Sequence, residues 1–390
     1  MRSELDRRGI AALSGGHGAV DFASGSVPAL LPFLAERFDL SYTLTALLML
    51  CATVSSSLVQ PLFGLLSDRR GAMWLLPGGV LLAGTGIALA GPAPSYGLAL
   101  VAVFVAGLGI AAYHPEGAKF AAYASGRRRA SGMSLFNVGG NLGYALGPIV
   151  VTPLVLWLGL AGGTLVAALP ILALGVAIGA VLPYLRELRP RGREHALVGE
   201  DRPRALAVLL AIILLRSTTW FGLVTFVPLW AVSLGQTKAE GNRLLSLMLV
   251  AGVAGALAFG PVADRFGLRR TLLATTVALP PLVLVFVYAG GVAGAGALML
   301  VGACVVGTFG VVMVLSQLYL PRHVAMASGL NVGLAIGLGG VAAVGLGAVA
   351  DAVDLRAALL LCAVAPVPAA LLCLRLPSPH ARLAPAPAGA

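Results

Sequence analysis

Residues 113–148 read YHPEGAKFAAYASGRRRASGMSLFNVGGNLGYALGP. The first part is an apolar run into which His114, Pro115, Glu116 and Lys119 are set. Arg127, Arg128 and Arg129 mark an exit from it. A second apolar run then returns with Asn137, Asn141 and a ladder of glycines ending in Gly147-Pro148. Apolar run, basic turn, apolar run is the pattern of two membrane-crossing helices joined by a short loop. Ionisable side chains inside such a helix are costly in lipid, so they mark a site whose partners lie elsewhere in the chain. The first apolar run supplies candidates for those partners, His17 and Asp21.

Composition extends the membrane reading to the whole chain. Of 390 residues, 59% are hydrophobic and 11% charged, where a soluble domain carries about 25% charged residues. Lys and Arg number 26 against 15 acidic residues. These positives sit in short loops between apolar runs, which argues against a nucleic-acid partner and for contact with membrane lipid. Cys51, Cys304, Cys362 and Cys373 have no paired spacing and read as small buried hydrophobes. Arg2, Arg7 and Arg8 precede the first run as in a signal peptide. That run contains His17 and Asp21 and is followed by no small-residue cleavage pattern, so it reads as a retained helix. No phosphate-binding Gly-Lys-Ser loop and no metal-ligand spacing occurs, so no cofactor, no metal and no enzymatic activity are expected.

Twelve apolar runs approach the roughly 20 residues a spanning helix needs. Among them are 11–36, 72–91, 95–123, 131–156, 162–184 and 205–232. The one long connector, 185–204, is rich in Arg, Pro and Glu and divides the runs six and six. The expected fold is therefore an all-α membrane protein with an N-terminal six-helix bundle (1–184), a linker (185–204), a C-terminal six-helix bundle (205–376) and a disordered tail (377–390). With the N-terminus inside, the external loops hold only Arg37, Lys238, Arg243 and Arg356. Nearly all other basic residues fall inside, so both termini are expected to be cytoplasmic. The halves also repeat: Pro32 and Pro228, Gly64 and Gly260, Asp68 and Asp264, and Gly71 and Gly267 share one constant offset. That is the signature of two related bundles in parallel orientation.

The turn Gly64–Gly71 reads GLLSDRRG, and its echo Gly260–Gly267 reads GPVADRFG. An Asp at this place can accept from the start of the next helix and pair with Arg across the loop. Here the chain resembles the major facilitator superfamily over nearly its whole length, although Ala72-Met73 replaces the usual basic residues after the first copy. The resemblance implies that Asp68 and Asp264 latch a cytoplasmic gate. Gly139, Gly143 and Gly147-Pro148 resemble the antiporter signature of the drug-efflux branch, which implies that Gly147 and Pro148 take part in gating. Ala342 stands where a second proline would map.

A closer resemblance is to the fosmidomycin resistance protein family. It is carried by His17, Asp21, Pro28 and Pro32, by Phe38-Asp39-Leu40-Ser41, by His114-Pro115-Glu116 and by Asn137-Val-Gly-Gly-Asn141. It implies export of a small toxic compound, a phosphonate such as fosmidomycin, against inward proton flow across a bacterial inner membrane.

Physical reading of the same residues supports a site. His17 and Asp21 are i and i+4 and share a helix face. Asp21 lies about 15 Å into its helix and Glu116 about 10 Å from the end of its own. The two helices run in opposite directions, so these groups reach similar depths. Buried carboxyl and imidazole groups are those a cell's proton gradient can load and unload, which makes Asp21, Glu116, His17 and His114 the proton-coupling candidates. Lys119, at i+3 from Glu116, can pair with it. Arg216, deep in the seventh run, can meet an anion. With Asn137, Asn141, Tyr113 and Trp220 these form the substrate-binding candidates. Each also has a plain role: Lys119 reaching headgroups, Glu116–Lys119 as a static pair, the asparagines bonding between helices. The expected partners are a small molecule, protons and lipid, with the chain acting as a monomer. The main alternative is an uptake symporter for a small organic anion.

Overall fold

The computed structural model describes residues 5–70, 72–126, 129–188, 197–198, 200–322, 324–378 and 382–383. It is built of helices joined by short turns. Before the connector come α1 (Arg7–Phe38), α2 (Tyr42–Ser57), α3 (Gln60–Arg70), α4 (Leu75–Ala90), α5 (Tyr96–Ser125) and α6 (Arg129–Arg186). After it come α7 (Pro203–Ser233), α8 (Lys238–Phe266), α9 (Leu268–Ala289), α10 (Gly291–Gly307), α11 (Phe309–Tyr319), α12 (Val324–Ala352), α13 (Leu355–Val364) and α14 (Pro366–Arg375). Two-residue strands β1 (Leu197–Val198) and β2 (Arg382–Leu383) pair antiparallel. Part of the expected disordered tail is thus tied to the connector. Pro377 and Ser378 are held as well, by Tyr319 and Arg269.

Among the described residues, ten helical stretches are long and apolar enough to cross a membrane, against the twelve expected. The difference arises at two places. The expected run 72–91 appears as α4, only 16 residues long. The expected runs 131–156 and 162–184 appear as one 58-residue element, α6, interrupted at Gly159. Gly159 has φ 73° and ψ 168°, a backbone conformation open to glycine and strained for other residues. A break there turns the chain without a polar loop.

Side chains in the connecting turns explain where helices start. Asp6, Ser41, Ser95, Thr237 and Asp354 each accept a backbone N–H in the first turn of the helix that follows. Thr237 and Glu240 form a full capping box. Each cap removes one of the unpaired donors a helix start exposes. Helix α1 stops at Asp39, which adopts a left-handed conformation (φ 49°).

Glycine decides how close α1 and α6 come. A Cβ at Gly143 would collide with Gly18 O, and one at Gly147 with the backbone of Gly25. At Gly139 it would stand 2.5 Å from Ser14 O. The glycine ladder is therefore a packing face, on which two backbones meet with no side chain between them. Gly143→Ala is expected to destabilise the protein by about 1–3 kcal/mol, the usual scale for overpacking. A thermal-unfolding series in detergent, with the exposed Gly97→Ala as control, checks this.

The start of α1 defines a near face and its end a far face. Among the described residues, three polar side-chain contacts join helices before the connector to helices after it, and all three lie at the far face. Asp351 of α12 accepts from Tyr42 N (2.8 Å), Thr43 N (2.9 Å) and Thr43 Oγ1 (2.5 Å) at the start of α2. Asn242 of α8 donates to Ala29 O and Thr152 Oγ1, both at 2.9 Å. Lys238 of α8 pairs with Glu36 of α1.

Candidate functional site

Three helices carry the polar cluster. His17 and Asp21 stand one turn apart on α1, His114 comes from α5, and Phe136 from α6 closes the group. His17 Nε2 lies 3.3 Å from Asp21 Oδ2. His114 Nε2 lies 3.2 Å from the other oxygen, Asp21 Oδ1. His17 Nδ1 is 2.8 Å from the carbonyl of Phe136. The His17 ring stacks on the Phe136 ring (centroids 4.1 Å apart, 22°) and meets His114 edge-on (5.1 Å, 86°). The imidazole is thereby fixed in both position and tilt.

Room for this cluster comes from Gly140. A Cβ there would stand 2.5 Å from His17 Nε2 and 2.6 Å from Asp21 Oδ2. His17, Asp21 and His114 each bring one polar atom within 4.8 Å of the others. Spacing in the sequence does not reveal this grouping, because His114 arrives from a distant helix.

Glu116, two residues beyond His114 on α5, forms a second cluster. It is fully buried. Its Oε2 lies 2.7 Å from Lys119 Nζ and accepts from Ser67 of α3, whose hydroxyl in turn accepts from Lys119. Glu116 Oε1 is buried with no hydrogen-bond partner among the described residues. Such an atom costs about 1–3 kcal/mol, more for a charged group, and a site that changes partners is where such a cost persists.

The other candidates are dispersed. Arg216 is 4% exposed. Its Nη1 donates to Thr276 Oγ1 (2.5 Å) and, at 3.5 Å, to Thr275 Oγ1. Its Nη2 donates to Thr308 Oγ1 (2.6 Å) and Cys304 O (3.0 Å). These partners lie on α9 and at α10 and its end, none in the Asp21 cluster, and all are uncharged. Tyr113 is fully buried and its hydroxyl donates to Leu13 O (2.5 Å), so it ties α5 to α1. Trp220 is half-buried against the main core. Asn137 is exposed and Asn141 half-buried. Gly147 and Pro148 are buried in α6. Asp264 is exposed near the end of α8, while the side chain of Asp68 and all of Gly71 lie outside the described residues. The cysteines are unpaired, three buried and Cys51 half-buried.

Comparison with known proteins names the architecture. The family model of the Major Facilitator Superfamily matches residues 13–344 and again 209–390. The chain belongs to the Major Facilitator Superfamily. It is accordingly a multi-pass membrane transporter. Across 357 residues, 89% of this chain and 87% of the relative, it is 32% identical to YfnC, an uncharacterized transporter of the superfamily from Bacillus subtilis (strain 168). Across 368 residues, 92% and 90% of the two chains, it is 29% identical to the fosmidomycin resistance protein of Escherichia coli (strain K12). Solved transporters of the superfamily share its fold. A nucleoside transporter, NupG, superposes with a TM-score of 0.79 at 12% identity, covering 94% of this chain and 99% of that one. A bacterial homolog of the human lysosomal transporter Spinster, inward-facing and occupied, superposes with a TM-score of 0.75 at 14% identity, covering 94% and 96%.

Five residues that reading the sequence did not single out are now seen at work. Ser67 directly precedes Asp68 in the signature turn, a polar residue ending an apolar helix. Phe136 acts through its carbonyl, which no sequence pattern announces. Gly140 sat unremarked inside Asn137–Asn141. Asn242 and Asp351 are polar residues near helix ends, which read as ordinary loop margins.

Proposed function

We propose that this transporter is a proton-coupled antiporter that exports a small toxic compound, with a fosmidomycin-like phosphonate as the first candidate. The observation that carries the reading is the pair of polar clusters, His17–Asp21–His114 and Glu116–Lys119–Ser67, set into apolar helices. Family membership adds that the chain moves a solute, and the 29% identical relative is named for fosmidomycin resistance. With α4 and the two arms of α6 counted as spans, the chain crosses the membrane twelve times as two six-helix bundles, 1–184 and 205–376, joined by 185–204. The distribution of basic residues puts both termini in the cytoplasm of a bacterial cell. The far face is then external, and the contacts of Asp351, Asn242 and Lys238 describe a carrier closed to the outside.

The cycle exchanges two loads. Open to the cytoplasm, the clusters give up protons and substrate binds, with Arg216, Lys119, Asn137 and Asn141 as candidate contacts for its polar groups. After the bundles rock, external protons reload the carboxylates and substrate leaves. Asp68 and Asp264 act as the cytoplasmic latch. Each load drives the change only because it binds the two states unequally.

The test is fosmidomycin-evoked proton movement in proteoliposomes containing a pH-sensitive dye. Proton flow opposite to the drug is the expected result. Flow in the same direction as the drug would replace antiport by uptake symport. No flow with folded protein would remove fosmidomycin and coupling together.

A further inference from the structure

We propose that the His17–Asp21 pair holds one exchangeable proton between His17 Nε2 and Asp21 Oδ2, and that Phe136 dictates this by keeping His17 Nδ1 a permanent donor. The inference deepens the coupling reading by naming the atoms that hold the proton. Its use in transport rests on that reading, while its geometry does not.

A carbonyl oxygen only accepts hydrogen bonds. His17 Nδ1, 2.8 Å from Phe136 O, therefore carries a hydrogen. If His17 is neutral, its Nε2 has a lone pair and no proton. That nitrogen faces Asp21 Oδ2 at 3.3 Å. An ionised carboxylate is also acceptor-only, so two lone pairs would meet in a buried place. One proton between them resolves the conflict, either as imidazolium with carboxylate or as neutral imidazole with carboxylic acid. Both forms contain the same single proton. A proton on both facing atoms would set donor against donor, and none would leave two acceptors facing.

The surroundings bear on which form is held. From α5, His114 presents Nε2 to the other carboxylate oxygen at 3.2 Å. When His114 Nε2 carries its ring hydrogen, both carboxylate oxygens face a donor. The other titratable neighbours are Tyr113 of α5, whose hydroxyl is engaged by Leu13 O, and Tyr144 of α6, which lies within the field of Asp21. Rotation of the ring cannot relieve the pair, because Phe136 stacks on one face, His114 abuts it and Gly140 leaves no spare volume. Loss of the proton must therefore move Asp21 away from Nε2. Proton release is in this way converted into a displacement on α1.

The experiment is nitrogen NMR of the full-length protein in nanodiscs with ring-labelled histidine, recorded across pH. The His17 signal is assigned by its absence in His17→Gln. Should that variant not fold, single replacement of His114, His195, His323 and His380 assigns it by elimination. The expected result is a His17 ring protonated on both nitrogens at low pH that becomes, on raising the pH, the neutral form with hydrogen on Nδ1. A neutral form with hydrogen on Nε2, or a ring that never gains its second proton while Asp21 stays ionised by carboxyl carbon NMR, overturns the proposal. Drug-evoked proton flux on the same preparation separates the two ideas. Flux with the wrong tautomer sinks the pair and keeps antiport. The expected tautomer without flux keeps the pair and sinks antiport.

Discussion

Asp21→Asn and Glu116→Gln each reduce proton-driven export at least about a hundredfold while leaving a folded protein that still binds the exported compound. The size follows from burial. Glu116 is fully buried with one oxygen paired to Lys119 and one unpartnered. Asp21 offers its two oxygens to two histidines. Neither amide can gain or lose a proton, so each variant takes its carboxylate out of the exchange of loads. Each is also close in volume to the residue it replaces, so packing survives. The Asn amide can still present an oxygen to His114, and the Gln amide can still accept from Ser67. Counterflow of labelled compound, which needs no proton movement, distinguishes a lost coupling site from a lost binding site. Asp21→Asn should retain counterflow and lose gradient-driven transport. Full gradient-driven transport in both variants would refute the assignment of the coupling site.

Much of this arrangement was legible in the sequence, for identifiable physical reasons. His17 and Asp21 share a helix face because four residues make about one turn. Glu116 and Lys119 pair at i+3 for the same reason, and the ion pair is found at 2.7 Å. Matching depths on antiparallel helices set Asp21 level with Glu116, but the group that reaches Asp21 is His114, at 3.2 Å, while Glu116 turns to Lys119 and Ser67. Other features depended on the third dimension. Arg216 was read as a fixed cation suited to an anionic group, and Thr276, Thr308 and the Cys304 carbonyl are what hold its two terminal nitrogens. Threonines in an apolar helix carry no sequence mark that tells a ligand from a helix bonding to itself. Tyr113 was read as a substrate-binding candidate. Adjacent helical residues point about 100° apart, and its hydroxyl goes to Leu13 instead. The break inside α6 falls in the gap read between runs 131–156 and 162–184, and Gly159 makes it with a positive φ rather than with a polar loop.

At the far face, the double variant Asn242→Ala/Asp351→Ala raises the population open to that side about a hundredfold. The contacts there are unequal, and burial ranks them. Lys238–Glu36 joins a partly buried amine to a carboxylate 70% exposed, and such a pair is worth about 0–1 kcal/mol. Asp351 is exposed but accepts three hydrogen bonds, two of them from unpaired donors at the start of α2. A cap of that kind contributes about 1 kcal/mol. Asn242 is 1% exposed and bridges α8 to both Ala29 on α1 and Thr152 on α6. Removing it leaves a buried threonine hydroxyl unpartnered, at about 1–3 kcal/mol. The two sites contact different helices, so their effects add to about 3 kcal/mol, or roughly a hundredfold in a two-state equilibrium. Spin labels at Gly97, where α5 begins, and Val292, where α10 begins, report the distance across the far face. Both positions are open: a Cβ at Gly97 meets nothing within 4 Å, and Val292 is 92% exposed. The double variant should show a longer distance component that Lys238→Ala alone does not. An unchanged distribution would mean that apolar contact between α2 and α12, where a Cβ at Gly347 or Gly340 would strike Thr43 or Thr53, keeps this face shut without the polar latches.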